Sequence, residues 1–158
     1  MKKSKKIIEL LNDLVRINID RVAGYEKGTH AEKGVDPGVR NIFYKLAMQS
    51  RSYINELHAE VLHLGGSPVG SGTNSGELYP FWQELRVDFG GKDTQSLLMA
   101  SEAGETAVQK VYQFALDMGK DLPYNIMCLI RDQQIAMKRA FDLVKRYHDF
   151  TIIHAHHN

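Results

Sequence analysis

Between residues 65 and 92 the chain loses the helical periodicity that governs it on either side, and this interruption limits what it can fold into. The stretch opens with Gly65, Gly66, Ser67 and Pro68 and continues through GSGTNSG at 70–76, a composition that ends helices and favours turns. It then carries LYPFWQELRV at 78–87, which reads as one short amphipathic helix over about 78–88. Gly90 and Gly91 close it. A bare connection of about 28 residues would count against the elements around it. One that carries its own helix does not, and it is long enough to travel the length of a helical domain.

On both sides of the crossover, apolar residues recur at helical spacing. Ile8, Leu11, Val15, Val22 and Tyr25 predict a helix over about 4–27, with Ser4 as its N-cap and Gly28 and Pro37 in the turn beyond. Phe43, Leu46, Tyr53, Leu57, Val61 and Leu64 predict a second over about 39–64, stopped by Gly65 and Gly66. Leu97, Val108, Val111, Tyr112 and Ala115 predict a third over about 94–118, capped by Gly119. Ile130, Met137, Phe141 and Val144 predict a fourth over about 124–149, with Pro123 near its first turn. The short turns make each flanking pair antiparallel, and the crossover makes the second and third helices parallel. The expectation is an all-α chain: one domain over 1–149 with a 150–158 tail, in the single-crossover order of ferritin-like four-helix bundles.

The apolar fraction of 43% and charged fraction of 25% are those of an ordinary soluble globule. A formal charge of +1 gives no reason to expect nucleic acid or an acidic membrane as partner. The run of Lys2, Lys3, Lys5 and Lys6 reads as a solvated helix start, and Glu9, Asn12 and Asp13 follow too soon for a signal peptide. No stretch approaches the roughly 20 apolar residues of a membrane span. Cys128 is the only cysteine, so no intrachain disulfide is possible, and a reducing cytoplasm is the simplest location.

Several stretches carry a resemblance. They are LLNDLV at 10–15 with Asp20, Gly24, Tyr25 and Glu26; ELHAEVLHLGG at 56–66; FWQEL at 81–85; and Gly104 and Glu105 with YQFAL at 112–116. Over about residues 7–147 the chain resembles a bacterial ferritin-like family known as domain of unknown function 2383. The resemblance implies a four-helix bundle in a bacterial cytoplasm and no established activity. Relatives in the wider superfamily bind iron, so a metal site has to be tested on the residues.

Ferritin-like di-metal sites take a Glu from two helices and Glu-x-x-His from two more, all inward at one level. The one Glu-x-x-His here joins Glu60 and His63. At about 100° per residue, Glu60 lies roughly 60° from the apolar centre near Leu57, and His63 roughly 120° away. Pairing the first two helices about residue 34 sets Asn18 opposite Ser50 and Ile8 opposite Glu60, which puts the pair near an end. The same pairing assembles a mid-level polar layer of Asn18, Ser50, Tyr53, Ser101, Glu105, Gln133 and Gln134. Glu105 is its only obvious carboxylate, and Gln134 with Met137 stands where a fourth helix would need Glu-x-x-His. Hard or borderline cations want several anionic oxygens or imidazoles. The layer therefore reads as a hydrogen-bonded device fixing helix register, with Gln134 or Tyr53 donating to Glu105.

A second metal candidate lies at one end, where Glu26, His30 and His148 share a level and the tail adds His154, His156 and His157. It could take zinc, nickel or copper. Tyr79, Phe81, Trp82 and Leu85 give the crossover helix an apolar face for packing or for an interface. No metal or cofactor is expected, and no catalytic residue. The leading expectation is a non-enzymatic protein that binds itself, as a homodimer or larger, or an unknown protein partner. An iron- or zinc-binding redox protein and a small-molecule site beside the crossover helix are the alternatives.

Overall fold

A computed structural model describes residues 2–30, 35–69, 75–85 and 93–156, excluding the side chains of 2, 151 and 153–156. Among the described residues the chain is all-α, with five helices and no strand. They are α1 (Lys2–Thr29), α2 (Pro37–His63), α3 (Leu78–Leu85), α4 (Thr94–Met118) and α5 (Tyr124–His156).

Four boundaries depart from the sequence reading. α1 begins at Lys2, so Ser4 lies within the helix rather than capping it. Gly28 does not end α1, which runs on to Thr29. A Cβ at Gly28 would lie 2.6 Å from the Phe43 ring, so this glycine serves close approach of α1 and α2 rather than a turn. Pro37 opens α2 instead of preceding it, because a proline at the first helical position lacks only an N–H that would be unpaired anyway. Asp36 caps that end, its side chain accepting from the Gly38 N–H at 2.7 Å. The segment expected as a tail after residue 149 is helical to His156, since no glycine or proline interrupts it. The residues 86–88 assigned to the crossover helix lie outside the described ones.

At the far end of α2, Gly65 takes a left-handed φ of 80°, and the Gly66 N–H reaches back to the Val61 carbonyl at 2.9 Å. Asp93 and Ser96 form a capping box on α4.

Contacts fix the directions. Asn18 and Ser50 meet across α1 and α2, as do Tyr25 and Phe43. Tyr112 meets Gln133, and Glu102 meets His148, across α4 and α5. Asn18 meets Tyr112, and Tyr25 meets Glu105, across α1 and α4. Every one of these pairs is antiparallel, so α2 and α4 run the same way. The short α3 packs on α1 and α4. Two apolar clusters fill the interior, one around Leu11, Leu14, Leu57, Val111 and Ile130 and the other around Phe43, Leu46, Leu97, Leu98 and Val144. On α1, α2 and α4 the polar residues Asn18, Arg21, Ser50, Ser101 and Glu105 fall between the two clusters.

Candidate functional site

The buried polar centre is built around one charged side chain that the sequence reading left out. Arg21 is 1% exposed and lies three residues beyond Asn18 and four before Tyr25, so all three share one face of α1. Its Nε donates to Glu105 Oε1 at 2.9 Å, and its Nη1 donates to Ser50 Oγ at 2.8 Å. Ser50 then donates to Asn18 Oδ1 at 2.9 Å, and Asn18 Nδ2 to the Tyr112 hydroxyl at 2.9 Å. Tyr112 donates to Gln133 Oε1 at 2.8 Å. Each hydroxyl accepts from one neighbour and donates to the next, so the donors run one way from Arg21 to Gln133. Such a relay polarises cooperatively in a low dielectric, and it ties all four long helices to one register. Tyr25 donates its hydroxyl to the same Glu105 oxygen, with the Arg21 guanidinium 5.3 Å from its ring centroid.

Burial sets the electrostatics. It would push the Arg21 guanidinium down, but the Glu105 carboxylate beside it outweighs this and holds its pKa above the ordinary value. Burial, reinforced by Glu105, pushes the Tyr25 phenol well up. Burial also raises Tyr112. The guanidinium thus keeps its charge and both phenols keep their protons. Arg21 Nη2, Glu105 Oε2 and Gln133 Nε2 are buried without a hydrogen-bond partner among the described residues.

Of the residues placed in this layer from sequence, Asn18, Ser50, Glu105 and Gln133 come together. Ser101 is buried at this level but donates to the Leu98 carbonyl of its own helix. Tyr53 is half-buried. Gln134 turns outward, donating to Gln113 at 3.2 Å. The donors to Glu105 are therefore Arg21 and Tyr25, not Gln134 or Tyr53, because α1 reaches the carboxylate directly from the opposite side.

The end cluster does not assemble. Glu26 pairs with Arg51, His30 is exposed, and His148 Nδ1 sits 2.9 Å from Glu102 Oε2. Glu26 and His30 project from the last turns of α1 toward α2 and solvent, whereas His148 faces α4. The side chains of His154, His156 and His157 lie outside the described residues. Glu60 accepts from Asn125 at 3.4 Å, with His63 exposed and 3.8 Å away. Among the described residues no three His, Cys, Asp or Glu side chains form a group able to hold a metal ion.

The crossover helix is held by carboxylates of α1. Asp13, fully buried, accepts from the backbone N–H groups of Gly76 and Tyr79 at 3.0 and 3.1 Å. Burial raises its pKa, although these bonds and Arg16 oppose the rise. Asp20 accepts from the Tyr79 hydroxyl and the Trp82 indole. Trp82 is buried, Leu85 half-buried, and Phe81 stacks on Phe114 at 4.6 Å, so the apolar face expected on this helix is turned onto α1 and α4. A cavity of about 380 Å³ opens at the start of α3, between Ile7, Leu10, Leu78 and Leu122, with Lys3, Lys6, Glu9, Glu77 and Asp121 around it. Trp82 does not line it.

No described helix is long and apolar enough to cross a membrane. Residues 6–118 match the family model described as Domain of unknown function (DUF2383), and the chain belongs to that family. No curated protein matches it.

Proposed function

We propose that this family member is a ferritin-like four-helix bundle without enzymatic chemistry, working in the cytoplasm by associating with itself or with another protein. The observation that carries the reading is the buried Arg21–Glu105 pair. Where a di-metal protein would converge carboxylates, this centre has a single one, and a guanidinium already neutralises it at 2.9 Å. A divalent cation would have to displace Arg21 or sit beside its positive charge, and it would find Ser, Asn and Gln as its other ligands. The centre is suited instead to holding four helices in one register.

Metal analysis of untagged protein after loading with iron or zinc, together with light scattering, tests this. The expected result is metal well below one equivalent and a mass above that of one chain. One equivalent or more, lost on Glu105→Gln, overturns the metal-free reading; a monomer that captures no protein overturns the association.

A second reading, a small-molecule site, rests on the cavity at the start of α3. Its apolar floor and rim of both charge signs suit a small amphipathic molecule. A thermal-shift screen of such compounds tests it, and loss of any shift in Leu78→Trp would assign the binding to this cavity.

A further inference from the structure

The solvent face of α2 carries a feature that neither the buried centre nor the crossover helix uses. Tyr44, Met48, Ser52, Asn55, Ala59 and Leu62 are all exposed and recur at spacings of three and four, which places them on one stripe. Tyr44 is 59%, Met48 46% and Leu62 58% exposed. The stripe spans about 27 Å at 1.5 Å per residue and contains no charged residue. Arg51, at its margin, is turned onto Glu26 and the Met48 sulfur. Lys45 and Glu56, along the other margin, are of opposite sign.

The geometry points to this stripe as the contact with a second copy of the chain, α2 packing antiparallel on α2 about a two-fold axis near residues 53 and 54. Two properties select that occupant. Burial of the stripe takes none of its own side chains out of water as a charge, whereas an acidic peptide or nucleic acid would find a single cation, Lys45, at its margin beyond the Arg51 already turned onto Glu26. Its order is also self-complementary on reversal, as a two-fold contact requires. Tyr44 falls opposite Leu62 of the second copy, Met48 opposite the small Ala59, and Ser52 opposite Asn55. Bulky apolar side chains then meet at the ends, a methionine fills the space left by an alanine, and two small polar residues can hydrogen-bond at the axis. The inference rests on the reading of the chain as self-associating and adds the face through which it does so.

The test uses the full chain. Met48→Lys with Leu62→Lys puts like charges into the contact without touching the interior, so circular dichroism stays that of the parent. The dissociation constant measured by sedimentation is expected to rise about tenfold or more. In a Cys128→Ser background, Ser52→Cys is expected to give a covalent dimer with a short bismaleimide, and Thr106→Cys on the exposed side of α4 none. Association unchanged by the two lysines, or equal cross-linking at both sites, overturns this face and leaves self-association standing. A parent chain that is monomeric at the highest concentration reached overturns both.

Discussion

Two Arg–Glu pairs lie close together in this molecule, and they differ in almost everything but composition. Arg21 and Glu105 are each 1% exposed, whereas Arg51 and Glu26 are 44% and 42% exposed. Both pairs link neighbouring helices. The outer pair keeps much of its hydration whether or not it forms, so it gains little and costs little. The inner pair has given up water altogether, and its stability depends on every surrounding donor. Ser50 and the Leu46 carbonyl take up Arg21 Nη1, and Tyr25 adds a second donor to Glu105. Removing one member of such a pair leaves a bare buried charge, which is the costly event.

The strongest way to break the comparison is Arg21→Ala. Glu105 would then be buried opposite a void, and unfolding by denaturant should show a loss of about 3–5 kcal/mol. Replacing Arg21→Met, Tyr25→Phe and Glu105→Met together should restore most of that loss, because no charge remains to be desolvated. A single substitution costing under about 1 kcal/mol would mean that the inner pair behaves like the outer one.

Tyr25→Phe probes the same carboxylate more gently. It removes one donor and no charge, and a loss of about 1–3 kcal/mol is expected. The phenol also gives the centre a pH signature. Burial raises the Tyr25 and Tyr112 pKa above the ordinary 10.0. A raised acid keeps its proton in the folded chain after the unfolded chain has lost it. Their contribution is therefore fully present below about pH 10 and is lost as pH rises above it. Phenolate absorbance followed against pH together with circular dichroism checks this. Tyr25 and Tyr112 should ionise only as the chain unfolds, and Tyr25→Phe should flatten the alkaline loss of stability.

How much of this was legible in the sequence follows from what periodicity encodes. The helices could be read because their apolar stripes persist for many turns, and the crossover because glycine and proline interrupt them. Asn18, Ser50, Glu105 and Gln133 could be placed at one level because level and direction follow from helix rise and twist. Arg21 could not, because an arginine is assigned to solvent by default. The available signal was its position between Asn18 and Tyr25 at i+3 and i−4, on the inward face. Tyr25 was read only as an apolar member of its stripe, although a buried phenol needs an acceptor. The end cluster of Glu26, His30 and His148 failed differently. Small errors in direction accumulate toward helix ends, and Glu102, one turn from the centre on α4, was a partner for His148 that stripe counting did not reveal.

The outer pair supplies the last and smallest test. Arg51→Ala should change stability by no more than about 1 kcal/mol, since half-exposed side chains exchange one another for water at little net cost. What remains should shrink as salt is raised, because the Debye length falls from about 10 Å at 0.1 M to about 3 Å at 1 M. The loss in Arg21→Ala should persist through the same salt range, since ions cannot screen a charge they cannot reach. Arg51→Ala has a second use. If the α2 stripe is the contact between two copies, freeing Glu26 places an uncompensated carboxylate at its margin. Association should then weaken more than folding does, and comparing the two losses separates the surface role of this pair from the interior role of the other.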